Sequence, residues 1–144
     1  MKVVLTTLFA LVALAIQVFA DANAMKEALP PPPDGYQSEI EEETDAHLVD
    51  FAWLEGNEDT YYIVEINFEG ATVAGFKNTF RAMTRAMDTV EAGGQTFTFD
   101  GDMFTTLINK SVLVRVYGTA SEAIKRDALN RVEFAPLVAL ASGG

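Results

Sequence analysis

From His47 onward the apolar residues of the chain fall into two alternating periods. In "HLVDFAWL", Val49, Phe51 and Trp53 alternate with Asp50 and Ala52, the period of two that marks a half-buried strand over His47–Leu54. "EGNEDT" supplies a turn, and "YYIVEINFEG" follows as a strand in which Tyr62, Val64, Ile66 and Phe68 share one face. Tyr61, Ile63, Glu65 and Asn67 make a mixed opposite face, as in a sheet with helices on one side and a wetter surface on the other. From Thr72 the spacing lengthens to three and four. Val73, Phe76, Phe80, Met83, Met87 and Val90 then form one stripe, which predicts a single long helix stopping at Gly93-Gly94. The stripe is too short for a coiled coil and is expected to pack on the sheet.

"QTFTFDG", closed by Asp100-Gly101, and Val112–Tyr117 are two further strands. Thr119 and Glu122 fit a capping box that starts a second helix, with Ile124, Ala128, Leu129 and Val132 on its buried side. Pro136 bars continuation of that helix, and Val132 to Phe134 is expected to begin a last strand. Taken from Tyr61, the order is strand, helix, strand, strand, helix, strand. It predicts an α+β fold of the ferredoxin-like βαββαβ type, both helices on one face of a four-stranded antiparallel sheet, with His47–Leu54 as an extra N-terminal strand. This single domain is placed at 47–140, with 141–144 as a flexible tail.

Residues 21–46 read as a disordered, Pro-rich acidic linker. Pro30 to Pro33 favours polyproline II, Asp34-Gly35 signals a turn, and "EIEEETD" repels itself. Ser38 and Glu41 fit a capping box for a short helix over 39–46, but a solvated arm accounts for the charge better. Ahead of the linker, "MKVVLTTLFALVALAIQVFA" has a basic residue at Lys2, an apolar run from Leu8 to Ile16 and a Val18-Phe19-Ala20 end. It predicts a signal peptide over 1–20 and a secreted, extracellular mature chain, with cleavage after Ala20 or Ala24 left open. The run is short for a bilayer span, so no membrane association is expected after cleavage.

The chain has no cysteine, so an exported domain must fold by packing alone, without disulfides or thiol chemistry. Its net charge is -11, unevenly spread: from Glu27 to Glu69 every ionisable residue except His47 is acidic, whereas the rest is nearly balanced. Nucleic acid is a poor partner for such a surface, and a basic protein or bulk divalent cation a better one. Asn109-Lys110-Ser111 is a sequon, making Asn109 a candidate glycosylation site.

Candidate chemistry is sparse. His47 is the only histidine and reads as a strand-end side chain among carboxylates. With no cysteine and no G-x-S-x-G serine, no nucleophilic apparatus is visible, so neither a catalytic residue nor a cofactor is expected. Asp100-Gly101-Asp102 resembles the start of a calcium loop but lacks the later acidic positions, and a hairpin turn explains it more simply. "GATVAG" lacks the lysine of a phosphate loop. Glu41, Glu42, Glu43 and Asp45 could hold calcium weakly, and no metal site is assigned.

"YYIVEINFEG", a helix ending in "AGGQTFTFD", and "SVLVRVYGTASEAIKRDALNRVEFAP" together resemble the propeptide family of subtilisin-like peptidases, which includes stand-alone inhibitors. The likeness spans roughly Thr60 to Leu140. It implies the same βαββαβ order and a non-enzymatic inhibitor of a serine peptidase. In that family the sheet docks on the peptidase and the extended C-terminal segment enters the substrate groove, adding main-chain hydrogen bonds. On this chain the groove segment would be Leu137, Val138, Ala139 and Leu140. The sequence departs from the family at Phe134-Ala135-Pro136, where acidic residues are usual, and in the long segment Gly101 to Ser111. The competing expectation is an acidic extracellular matrix or mineral-associated protein whose arm from Asp34 to Glu69 binds divalent cations weakly. Oligomeric state is left open by either.

Overall fold

The computed structural model describes residues 21–143. The expected signal peptide therefore lies outside the described residues. The elements are α1 (21–28), β1 (Tyr36–Glu43), β2 (His47–Leu54), β3 (Asn57–Phe68), α2 (Gly70–Lys77), α3 (Phe80–Ala86), β4 (Asp88–Ala92), β5 (Gln95–Phe99), β6 (Phe104–Ile108), β7 (Val112–Tyr117), α4 (Glu122–Arg131) and α5 (Phe134–Ala141). No helix among the described residues is long and apolar enough to cross a membrane.

The α+β class is observed, built on one antiparallel sheet of seven strands in the order β1-β2-β3-β7-β6-β5-β4. Two meanders, β1–β3 and β4–β7, are joined through the β3–β7 pair, with α2 and α3 as the connection between them. This is not the four-stranded βαββαβ arrangement expected above. The register aligns Leu48, Asp50 and Ala52 of β2 with Ile66, Val64 and Tyr62 of β3, and Val64 and Ile66 with Val116 and Val114 of β7. That face carries the core. Met25 and Ala28 of α1, Ala128 and Leu129 of α4, and Phe134, Leu137 and Leu140 of α5 close over it. The opposite face is only partly covered: α2 lies against β3 and β6, α3 against β5, and Val73 is the one buried residue of the two helices.

Four expectations are corrected. The 21–46 segment is not a linker, since Met25 and Ala28 are fully buried and β1 pairs with β2 from Tyr36↔Leu54 to Glu43↔Leu48. Pairing with β2 satisfies one side of the backbone of "YQSEIEEE" while its glutamates stay largely in water. A bulge between Ile40 and Glu42, together with those charges, blunts the exposed edge. The apolar alternation of β2 is inverted, with Leu48, Asp50 and Ala52 facing the core and Val49, Phe51 and Trp53 half-exposed.

The single long helix is instead α2, α3 and the strand β4. Gly93 and Gly94, both at positive φ, form the two-residue hairpin turn between β4 and β5, where the register closes at Ala92↔Gln95. Gly93 is further constrained because a Cβ there would lie 2.2 Å from the Phe134 ring. Finally, the expected strand at 132–134 and the free tail are replaced by α5. Val132 ends α4 in extended conformation, and Phe134, Leu137, Leu140 and Ala141 recur at helical spacing on the buried side. Pro136 sits in the first turn of α5, where its missing N–H would have no intrahelical partner anyway. Residues 141–143 belong to the helix end: the Gly143 N–H donates to the Leu140 carbonyl at 3.1 Å with φ 82.

Candidate functional site

Alternation along β1, β2, β3 and β7 sends Glu42, His47, Glu65, Asn67 and Arg115 to the face opposite the core. Glu65, buried on β3, is held from both sides. Arg115 Nη2 of β7 donates to Glu65 Oε1, and His47 Nε2 of β2 lies 2.9 Å from Glu65 Oε2. The other ring nitrogen, His47 Nδ1, lies 3.3 Å from Glu42 Oε2 of β1. The Phe76 ring of α2 stands 5.9 Å from the Arg115 guanidinium. The network thus ties four strands together. Each imidazole nitrogen of His47 faces a carboxylate, Glu65 at hydrogen-bond distance and the more exposed Glu42 beyond it. Two buried donors of the same layer, Asn67 Nδ2 and Arg115 Nε, have no acceptor among the described residues.

Further along the same face the strands present aromatic rings. Phe51 stacks on Trp53 at 5.7 Å between centroids and tilts against Tyr61 at 5.1 Å, all three half-buried. Phe51 and Trp53 line a cleft of about 190 Å³ together with Glu39 and Glu41 of β1 and Glu58 of β3. Ring faces carry negative quadrupole charge, and three exposed carboxylates surround them, so the cleft is chemically matched to cations. Tyr117, on the same face of β7, has its hydroxyl pushed above the usual phenol range by burial and by the Glu65 carboxylate.

The residues singled out from sequence lie elsewhere. Leu137 is fully buried and Leu140 nearly so, while Val138 and Ala139 face water, so Leu137–Leu140 is one turn of α5 rather than an extended strand. Asn109 is exposed in the β6–β7 turn, and its Nδ2 donates to the Ala141 carbonyl at the end of α5. Among the acidic run, Glu42 is turned to His47 and Glu43 to Lys26 (2.7 Å). No group of three or more metal-ligating side chains converges among the described residues.

The Asp100-Gly101-Asp102 segment is a turn. Asp100 Oδ1 accepts the N–H groups of Met103 and Asp102, and the Met103 bond foremost holds its carboxyl below the usual range. A lysine supplies the cation beside it. Lys125, 3 % exposed on α4, donates to the Asp102 carboxylate and carbonyl at 2.7 Å each and to the Gly118 carbonyl at 3.2 Å, pinning this turn to the helix.

No family model, no curated protein and no solved structure matches the chain. Sequence reasoning missed the aromatic cleft because the alternation of Val49, Phe51 and Trp53 reads as a core-facing strand. The mixed character of Tyr61, Ile63, Glu65 and Asn67 on β3 was the available signal, since β2 must share its faces with β3.

Proposed function

We propose that the chain is a non-enzymatic, exported binding module that captures a basic protein segment on the aromatic and acidic cleft of its open sheet face. The observation that carries this reading is the stacked pair Phe51 and Trp53, with Tyr61 tilted against Phe51, in a cleft that Glu39, Glu41 and Glu58 line with the first two. The stretch from Glu27 to Glu69, which supplies all of these residues, contains neither lysine nor arginine to neutralise it. A lysine or arginine side chain laid over the rings would gain cation–π attraction of about 0.5–1 kcal/mol at an exposed site and a carboxylate partner besides. Long-range attraction would steer such a partner and fade with salt. Export is supported by the apolar leader at 1–20.

A serine peptidase held through Leu137, Val138, Ala139 and Leu140 would require α5 to unwind and Leu137 to leave the core. A mineral surface would have to compete with His47 and Lys26 for Glu42 and Glu43. The chain's single tryptophan makes the test direct. Trp53 fluorescence is followed while a lysine-glycine repeat peptide is added, with a serine-glycine peptide as control. Salt is set at about 20 mM and about 300 mM, which brackets a screening length of about 10 Å. The expected result is a saturable change with the lysine peptide alone, weakened by salt and by Glu58→Gln. A response that is absent, or the same for both peptides, refutes the reading.

A further inference from the structure

The core face of the sheet is open at its β1 end. There a second cleft, of about 540 Å³, lies between the chain that follows α1 and the β1–β2 hairpin. Leu29, Pro30, Pro31, Pro32 and Ile40 give it apolar walls, and its ionisable lining residues are Asp50, Glu39 and Lys26. Asp50 differs from the other two in being 5 % exposed. Among the described residues, no hydrogen bond or ion pair reaches its carboxyl. Lys26, the nearest source of positive charge in the lining, is spent on Glu43. A buried carboxylate without a partner, opening into a hydrocarbon-walled cleft, is unfavourable for the empty protein and is relieved by a cation that brings its own apolar body.

We propose that this cleft binds a small organic amine, its ammonium group against Asp50 and its aliphatic part along Leu29, Pro30–Pro32 and Ile40. The volume falls within the range of small-molecule sites, about 300–1,000 Å³. A bare divalent ion fits poorly, because one buried carboxylate among prolines offers too few of the six to eight oxygens calcium takes. The surrounding charges leave Asp50 as the receptor. Arg131 of α4 is paired with Asp127 at 3.1 Å, Glu39 and Glu43 of β1 are acidic, and burial, then Asp50 itself, pushes the Tyr62 hydroxyl of β3 up to about 12, so that it stays neutral. Tyr36 of β1 packs its ring 5.8 Å from that of Tyr62. Burial also pushes the Asp50 carboxyl up to about 6, so the site is charged at neutral pH and discharged in mild acid.

The test titrates the full chain with n-hexylammonium and with 1-hexanol, the neutral match of similar shape, while the methyl resonances of Ile40 and Leu29 are followed by NMR. Measurements are made near pH 7.5 and near pH 4.5, on either side of the carboxyl's midpoint. Hexylammonium is expected to shift both methyl signals near pH 7.5. Its affinity should fall at least about tenfold near pH 4.5 and in Asp50→Asn, and hexanol should bind at least about tenfold more weakly. Asp50→Asn keeps the side chain's size, and the pH arm tests the idea even where that variant misfolds. Equal affinity for hexanol, undiminished binding in Asp50→Asn or near pH 4.5, or no binding of hexylammonium at all would each overturn the proposal. Glu39 lines both clefts, but Trp53 and Glu58 belong to the aromatic cleft and Asp50 to this one, so Glu58→Gln and Asp50→Asn separate the two results.

Discussion

Asp50→Asn removes a charge from the core face of β2 while preserving the shape of the side chain, and its effect on stability should depend on pH. In the folded protein burial raises the Asp50 carboxyl from its ordinary 3.8 to about 6. Between those values the folded state holds the proton and the unfolded chain does not. The free energy of unfolding therefore falls as pH rises through that window, and the loss is complete above the folded value. At about 1.4 kcal/mol for each tenfold change in proton affinity, the gap amounts to about 3 kcal/mol. Asparagine carries no such penalty, although its amide must find water at the cleft, which costs part of the gain. The variant should then be about 2–3 kcal/mol more stable than the parent near pH 7.5, roughly 10 °C in melting temperature for a domain of this size. Near pH 4, where the parent's carboxyl is already neutral when folded, the two proteins should differ by less than about 0.5 kcal/mol. Urea unfolding followed by Trp53 fluorescence at both pH values measures this. A stability difference independent of pH, or a less stable variant near pH 7.5, refutes the account of Asp50 as an unpaired buried charge.

Two further outcomes test the C-terminal helix and a strained turn. Leu137→Ala should cost about 3 kcal/mol in urea unfolding, as for a fully buried leucine, while Val138→Ala, at a position 40 % exposed, should cost less than about 0.5 kcal/mol. Equal, small effects at both positions would show that this segment does not pack on the sheet. Lys110 holds φ 59 in the β6–β7 turn, next to Asn109 at φ 46, a conformation that glycine adopts without strain. Lys110→Gly should raise the midpoint of thermal unfolding by an amount equivalent to about 1 kcal/mol, and a lowered midpoint would count against this turn geometry.

Where the sequence was legible, a single physical signal acted without a competitor. One face of β7 carries Val112, Val114 and Val116 and one face of β3 carries Tyr62, Val64, Ile66 and Phe68. The helix α4 has its apolar stripe but is capped by Ser121, accepting from the Ile124 N–H, rather than by the expected Thr119, whose hydroxyl oxygen accepts from the Tyr61 N–H. Where it misled, two signals overlapped. The spacing of Met83, Met87 and Val90 extends a helical stripe into residues that pair as β4, because Thr89 and Val90 favour a strand and Gly93-Gly94 suits a hairpin turn as well as a helix end. Acidic density made 36–43 look like a solvated arm, yet an edge strand tolerates charge on every outward position. In α5 the spacing of Phe134, Leu137 and Leu140 was visible, but Pro136 read as a stop rather than as a first-turn residue. None of the side chains in the candidate site was signalled by a motif. They are brought together by strand pairing between residues far apart in the chain.

Both clefts follow from one register choice. In antiparallel pairing a slip of one residue moves every side chain of a strand to the other face. With β2 shifted by one, Phe51 and Trp53 would enter the core and Asp50 would meet water, erasing the aromatic cleft and the buried carboxylate together. Apolar area alone favours that alternative, because two large rings bury more surface than Leu48 and Ala52. What opposes it is space. Ala52 lies opposite Tyr62, whose ring is buried to 1 % exposure and packs against Tyr36 of β1, and a tryptophan in place of that alanine would overfill the layer beneath α1. On the other face, His47 reaches Glu65 only in the observed alignment, which leaves the Glu65–Arg115 pair a third partner. The fit of Tyr62 and the ion network therefore select a register that leaves aromatic surface in water and an acid in the core. Both are unfavourable for an isolated fold, and both are the kind of feature that a bound cation would relieve.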